Sequence, residues 1–247
     1  MLLHIFPTSE ALAQQVAAYL ADQSAAAMAE RGRFTVALSG GSMPKLLAEV
    51  TTEPFRSGID WSGWHVFWAD ERCLPLTDPD SNYYLARQFL LDQVAIPAGQ
   101  IYPIDPSLTA DPAAAAQAYQ QTLAEVFQPA AGQLPRFDLI LLGMGEDGHT
   151  ASLFPGHPLL EEETLWVAPI LNSPKPPPAR ITLTLPLLNQ ARQVAFITTG
   201  AGKASILPQV LEAKSGPLLP AARVQPIDGD LHWFVDEAAA NLKNEPA

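Results

Sequence analysis

Short runs made almost wholly of apolar residues recur along this chain, and each leads into a turn of glycine, serine or charged residues. Phe34-Thr35-Val36-Ala37-Leu38 opens onto Ser39-Gly40-Gly41-Ser42-Met43-Pro44, and His65-Val66-Phe67-Trp68-Ala69 delivers Asp70-Glu71-Arg72. Phe137-Asp138-Leu139-Ile140-Leu141-Leu142 precedes Gly143-Met144-Gly145-Glu146-Asp147-Gly148-His149, and Val194-Ala195-Phe196-Ile197-Thr198 precedes Thr199-Gly200-Ala201-Gly202-Lys203. Such runs read as buried strands.

Helical patterns separate them. Ser9 is placed to cap a helix through Leu12, Val16, Tyr19 and Leu20 towards Met28, and Gly32 ends it. Pro44 suits the first turn of a helix through Leu46, Leu47 and Val50. Further helices are predicted from Asp80-Ser81-Asn82 through Leu90, from Asp111 to Phe127, and through Leu207, Val210 and Leu211. Strands are also predicted at Leu2 to Phe6, Leu165 to Ile170, Arg180 to Leu185 and Leu231 to Val235, with a terminal helix after the last. The alternation predicts an α/β fold: a doubly wound, mainly parallel sheet with helices on both faces, in one domain spanning 1–247. The stretch Ser173-Pro174-Lys175-Pro176-Pro177-Pro178 reads as a stiff extended connector, too short to be a linker between domains.

A net charge of -12 argues against a nucleic-acid partner, because phosphate backbones need a basic face. For an anionic small ligand, the few Lys and Arg residues must act against an unfavourable overall field. Each cation in a glycine-rich turn is therefore a candidate. Cys73 is the single cysteine, which excludes an intrachain disulfide and reads as a small buried hydrophobe. The start, Met1 to Pro7, lacks a signal peptide's basic region, and no apolar stretch reaches transmembrane length. A cytoplasmic protein without a membrane partner is expected.

Gly143, Gly145 and Gly148 match the dinucleotide fingerprint G-x-G-x-x-G. That motif needs a long helix after the third glycine and an acid at the end of the next strand, about 20 residues on. Here Pro155-Gly156 and Pro158 interrupt the chain too early, and Glu161 to Glu163 precede the next strand. A nicotinamide site is not expected.

In a parallel sheet the four polar strand ends converge on one crevice. Gly41 and Ser42 lie where backbone amides can hold a phosphate. Lys203 can reach the same group, and Arg180 can add a bidentate contact. Asp70 and Glu71 offer carboxylates to orient a histidine or a substrate hydroxyl, and Arg72 can offset anionic charge. His149, within the glycine loop, is the candidate base. The histidines show no metal-ligand spacing, so no catalytic metal is expected.

The strings Leu38 to Pro44, Ala69 to Arg72 with Ser81-Asn82, Gly143 to Gly156 and Lys175 to Thr182 resemble the glucosamine-6-phosphate isomerase/6-phosphogluconolactonase family. The similarity continues through Gly202-Lys203-Ala204 and Pro220 to Val224 to Trp233, nearly the whole chain. The run Asp147-Gly148-His149-Thr150-Ala151-Ser152-Leu153-Phe154-Pro155-Gly156 is similar to the lactonase branch; the deaminase branch carries a different loop after its Gly-His pair.

The resemblance implies a Rossmann-like fold shared with glucosamine-6-phosphate deaminase and ribose-5-phosphate isomerase. It implies hydrolysis of 6-phospho-D-glucono-1,5-lactone, a sugar phosphate lactone, in the pentose phosphate pathway, with no cofactor. The protein is expected to be a monomer or weak homo-oligomer. On this reading His149 deprotonates water, Asp147 or Glu71 fixes its tautomer, and amides of the Gly143–Gly148 loop, with Gly145 at its centre, face the oxyanion, helped by Arg72. Gly41, Ser42, Arg180 and Lys203 hold the phosphate, and Asp70 contacts substrate. The competing readings are an amino-sugar phosphate isomerase or deaminase, and a non-catalytic sugar-phosphate sensor.

Overall fold

A computed structural model of the chain describes residues 1–212 and 218–241. Its strands are β1 (Leu2–Phe6), β2 (Phe34–Leu38), β3 (Trp64–Trp68), β4 (Asp70–Arg72), β5 (Leu139–Leu142), β6 (Val167–Ile170), β7 (Arg180–Leu183), β8 (Gln193–Thr198) and β9 (Asp230–Asp236). The helices are α1 (Ser9–Arg31), α2 (Met43–Leu47), α3 (Phe55–Gly58), α4 (Asn82–Phe89), α5 (Pro112–Phe127), α6 (Leu185–Leu188), α7 (Leu207–Leu211) and α8 (Glu237–Ala240). The end of the expected terminal helix, 242–247, lies outside the described residues.

Six strands form a parallel sheet in the order β1-β9-β8-β5-β2-β3. From β2 the chain winds outward to β3, and later from β5 through β8 to β9 in the opposite direction. The reversal falls between β2 and β5, where a doubly wound sheet leaves a crevice beyond its carboxyl ends. Alternation explains why both faces are covered. Val36, Leu38, Leu139 and Leu141 pack with Leu12, Val16 and Leu20 of α1. Ala37, Ile140 and Leu142 pack with Ala115, Tyr119 and Leu123 of α5. The register Val36↔Leu139 keeps these sets on their own sides, and a slip of one residue would exchange them.

The cap of α1 is Thr8 rather than Ser9. Thr8 is extended and its hydroxyl accepts from Ala11 N at 3.2 Å, leaving Ser9 as the first helical residue. Gly32 ends the helix in the left-handed region, as expected.

The strands Arg180–Leu183 and Val167–Ile170 do not join the parallel sheet. With Asp70–Arg72, expected only as a strand end, they form a second, antiparallel sheet in the order β4-β7-β6. Ala69 links the two sheets: its N–H donates to Leu38 O at 2.8 Å, and its carbonyl accepts from Leu183 N at 2.7 Å. A short strand buried on both faces looks the same in either sheet, so apolar pattern alone does not separate them.

Candidate active site

A cleft of about 220 Å³ lies at the carboxyl ends of β2, β5 and β8, beside the point where the strand order reverses. The parallel sheet contributes Gly40 to Met43, Gly143 to Gly145 with His149, and Thr198, Thr199 and Lys203. The small sheet contributes Asp70, Arg72 and Arg180, and the proline-rich strap before β7 contributes Lys175. Of the residues expected in the site, Gly41, Ser42, Asp70, Arg72, Gly145, His149, Arg180 and Lys203 all line this cleft.

His149 is fixed by its own loop. Its Nδ1 lies 2.5 Å from Asp147 Oδ1, and its ring packs against Phe154. A carboxylate can only accept, so the shared proton belongs to Nδ1 and the second ring nitrogen, Nε2, keeps its lone pair. Burial draws the His149 pKa below its ordinary value, and Lys175 pulls the same way against the hydrogen bond and charge of Asp147. The imidazole is therefore a free base at neutral pH. Asp147 is partly buried, which raises its pKa, but His149 and Lys175 carry it below the usual range. Lys175 Nζ stands 3.6 Å from Asp147 Oδ1.

Gly145 and Gly148 shape this loop rather than point their amides into the cleft. Gly145 N donates to His149 O at 2.8 Å, and Gly148 N donates to Gly145 O at 3.1 Å. Two of the amides expected at an oxyanion are thus already paired. Gly148 has φ +79°, and a Cβ there would meet Leu219. After Gly148 the chain forms no α-helix; Thr150 and Leu153 pair across a tight turn instead. The helix required by a dinucleotide fingerprint is missing.

Arg180 is only 3% exposed and most of its donors are committed. Nε donates to Pro177 O at 2.9 Å, and Nη2 donates to Lys175 O at 2.8 Å and Pro176 O at 3.0 Å. Nη1 donates to Ser152 Oγ at 3.2 Å and stands 4.0 Å from Asp70 Oδ2. The expected bidentate phosphate contact is not available, because the fork is spent on the strap. Ser152 in turn donates to Asp70 Oδ2 at 2.7 Å, and Asn82 Nδ2 donates to Asp70 O at 2.8 Å. Asp70 is thus held from both sides.

Glu71 does not reach His149. Its carboxylate accepts from Asn82 N at 2.7 Å, Tyr83 N at 2.8 Å, Arg72 N at 2.7 Å and the Ser81 hydroxyl at 3.2 Å. It serves the first turn of α4, where backbone N–H groups lack helical partners. Burial pushes its pKa up to about 7 against the pull of those backbone donors. Cys73 is buried, and burial with nearby Glu71 pushes its thiol up to about 12, far from a nucleophile's range. Ser39 donates to Leu141 O at 3.0 Å and holds the start of the loop.

Lys175 belongs to the cleft although the sequence presents its segment only as a stiff connector. Its signal was a lysine beside a rigid proline run that the resemblance already included. Lys203 is half-buried; burial lowers its pKa, Glu146 opposes this, and Lys175 lowers it further. The two ammonium groups therefore feel each other in the cleft. Among the described residues no cluster of His, Cys, Asp and Glu could hold a metal ion.

Fold and site together define a doubly wound α/β protein with a histidine–carboxylate pair facing a cationic cleft. The chain belongs to the glucosamine-6-phosphate isomerase/6-phosphogluconolactonase family, whose model matches residues 7–233. It is 45% identical to 6-phosphogluconolactonase of Rattus norvegicus over 249 residues, covering 99% of this chain and 95% of that protein. A probable chloroplastic 6-phosphogluconolactonase 3 of Oryza sativa subsp. indica is 47% identical, with 97% of this chain and 75% of the relative covered. The structure of 6-phosphogluconolactonase from Trypanosoma brucei superposes with a TM-score of 0.86 at 29% identity, covering 98% of each chain.

Proposed function

We propose that this protein hydrolyses 6-phospho-D-glucono-1,5-lactone to 6-phosphogluconate, the second step of the oxidative pentose phosphate pathway. The observation that carries the reading is the His149–Asp147 pair, which opens onto a cleft lined by Arg72, Lys175, Arg180 and Lys203 in a chain of net charge -12. With Arg180 beside Asp70, the single lining carboxylate among the described residues, the charges of Arg72, Lys175 and Lys203 suit a dianionic substrate.

His149 Nε2 removes a proton from water as the oxygen attacks the lactone carbonyl carbon. The carbonyl oxygen takes up negative charge, and the Lys175 ammonium, on the His149 side of the cleft, stabilises it. As the intermediate collapses, the bond to the ring oxygen breaks and the imidazolium returns the proton to that oxygen. The products are a hydroxyl and a carboxylic acid, which ionises. Asp147 keeps His149 in the required tautomer throughout. Lys203, with Gly41, Ser42 and Arg72, holds the phosphate, and this remote binding positions the reacting carbon. Asp70 receives a substrate hydroxyl. Glu71 and Arg180 build the site without touching the reacting atoms.

A cytoplasmic setting fits the single buried thiol of Cys73. Among the described residues no helix is long and apolar enough to cross a membrane.

The test is acid release from freshly generated 6-phosphogluconolactone, compared with spontaneous hydrolysis. Wild type should accelerate it, and His149→Ala should lower kcat about 10²- to 10⁴-fold with KM little changed. Ammonia release from glucosamine 6-phosphate, or product binding without rate acceleration, overturns the assignment.

A further inference from the structure

Three neighbouring strands of the central sheet are entered through an arginine. Arg33 immediately precedes β2, Arg192 immediately precedes β8, and Arg136 lies just before β5 between them; Arg31 closes α1 beside them. These side chains gather at the amino ends of the strands, roughly 15 Å from the catalytic loops at about 3.3 Å per residue. All four line a cleft of about 230 Å³ in which Asp138 is the only lining carboxylate among the described residues.

Asp138 is already engaged. Its Oδ2 accepts from Thr35 N and from the Thr35 hydroxyl, both at 2.8 Å. Its Oδ1 accepts from Arg31 Nε at 2.8 Å and lies 3.5 Å from Arg192 Nε. Arg33 donates to Val126 O at 3.1 Å and covers the Phe127 ring. The other nearby acids, Glu30, Asp228 and Asp230, line an adjoining cleft that Arg31, Arg136, Arg192 and Asp138 line as well; Glu30 pairs with Arg31, and Asp228 offers Arg136 only its backbone carbonyl. Nε of Arg136 and Nε of Arg192 are buried without a hydrogen-bond partner. Arg31 and Arg192 are matched by Asp138 and Glu30, whereas Arg33 and Arg136 meet only backbone carbonyls among the described residues. With Phe127 covered by Arg33, the remaining apolar lining is Pro129, Leu134 and Pro135.

We propose that this cleft is a second anion site, distinct from the catalytic cleft, that takes a phosphate monoester with its weakly polar part against the apolar wall of Leu134 and its neighbours Pro129 and Pro135. Guanidinium forks match phosphate oxygens bidentately, and a dianion balances the surplus charge.

The full chain is titrated with inorganic phosphate, phenyl phosphate, and chloride at matched ionic strength, and backbone amide shifts are followed by NMR. The expected result is saturable shifts at Thr35 and Asp138 that are separate from those at Gly41 and Gly145. Phenyl phosphate should bind more tightly than phosphate, and chloride should have no effect. Arg33→Gln should weaken binding about tenfold, and Arg33→Gln with Arg136→Gln about a hundredfold, with the far-ultraviolet circular dichroism and lactone hydrolysis unchanged. Neither arginine contacts Asp138, so the fold keeps that anchor. No saturable shift at Thr35 and Asp138, an equal response to chloride, or affinity unchanged in the double variant overturns the site. Phenyl phosphate binding no tighter than phosphate overturns the apolar wall's role.

Discussion

Gly145 and His149 share one small volume: a Cβ on residue 145 would lie 2.0 Å from His149 Nδ1 and 2.5 Å from Asp147 Oδ1. The glycine is required by contact with the base, and the pair must separate if residue 145 gains a methyl group. Gly145→Ala should therefore lower kcat about 10²-fold, the cost of displacing a catalytic group by about 1 Å. Calorimetry should show a folded protein with a lowered midpoint, because the neighbouring Met144 packs in the core.

The Asp147 carboxylate acts through His149. Asp147→Asn keeps the shape but loses the charge that fixes the proton on Nδ1, and kcat should fall about 10²- to 10⁴-fold with KM little altered. A change confined to KM would place Asp147 on the substrate instead.

Rate against pH follows from the lowered pKa of His149. The neutral imidazole is the active form, and a lowered pKa preserves it further into acid. The acid limb of kcat/KM should therefore lie below the ordinary histidine value of about 6.5. In Lys175→Ala a cation leaves the neighbourhood, protonation becomes easier, and the limb should move to higher pH. Steady-state profiles of both proteins check the sign.

Glu71 gives a stability prediction. Its folded pKa is raised to about 7 from an ordinary 4.5. Between those values the folded chain holds a proton that the unfolded chain has released, so this group's contribution is full below 4.5 and is lost as pH rises through 7. Glu71→Gln removes the titration. Urea midpoints measured from pH 4.5 to 7 should decline less steeply in the variant than in wild type. The variant should also be weaker by about 1–3 kcal/mol at low pH, where its amide meets backbone N–H donors.

Much of the architecture was legible in local sequence. The bounds of β2 follow from an apolar run ending at Ser39, and the loop at 143–149 from glycines and acids in a turn. Glu71 was misplaced although the information was present. Successive residues of a strand point to opposite faces, so Asp70 and Arg72 line the cleft while Glu71 lies under α4. Arg180 was a different matter. Its partners are carbonyl oxygens of residues 175–177, and backbone oxygens carry no residue identity from which a contact could be read. Lys175 was hidden for the same reason, since its direction depends on how that strap is held.

The strap has an entropic consequence. Ordering a backbone residue costs about 1–2 kcal/mol, and a lysine on a free loop would incur that cost each time substrate arrived. Here one guanidinium binds three successive carbonyls, so the segment bearing Lys175 is ordered when the chain folds. Lactone binding then has only a side chain left to arrest. Loosening of the fold at Arg180 and weakening of the grip on an anion become a single event.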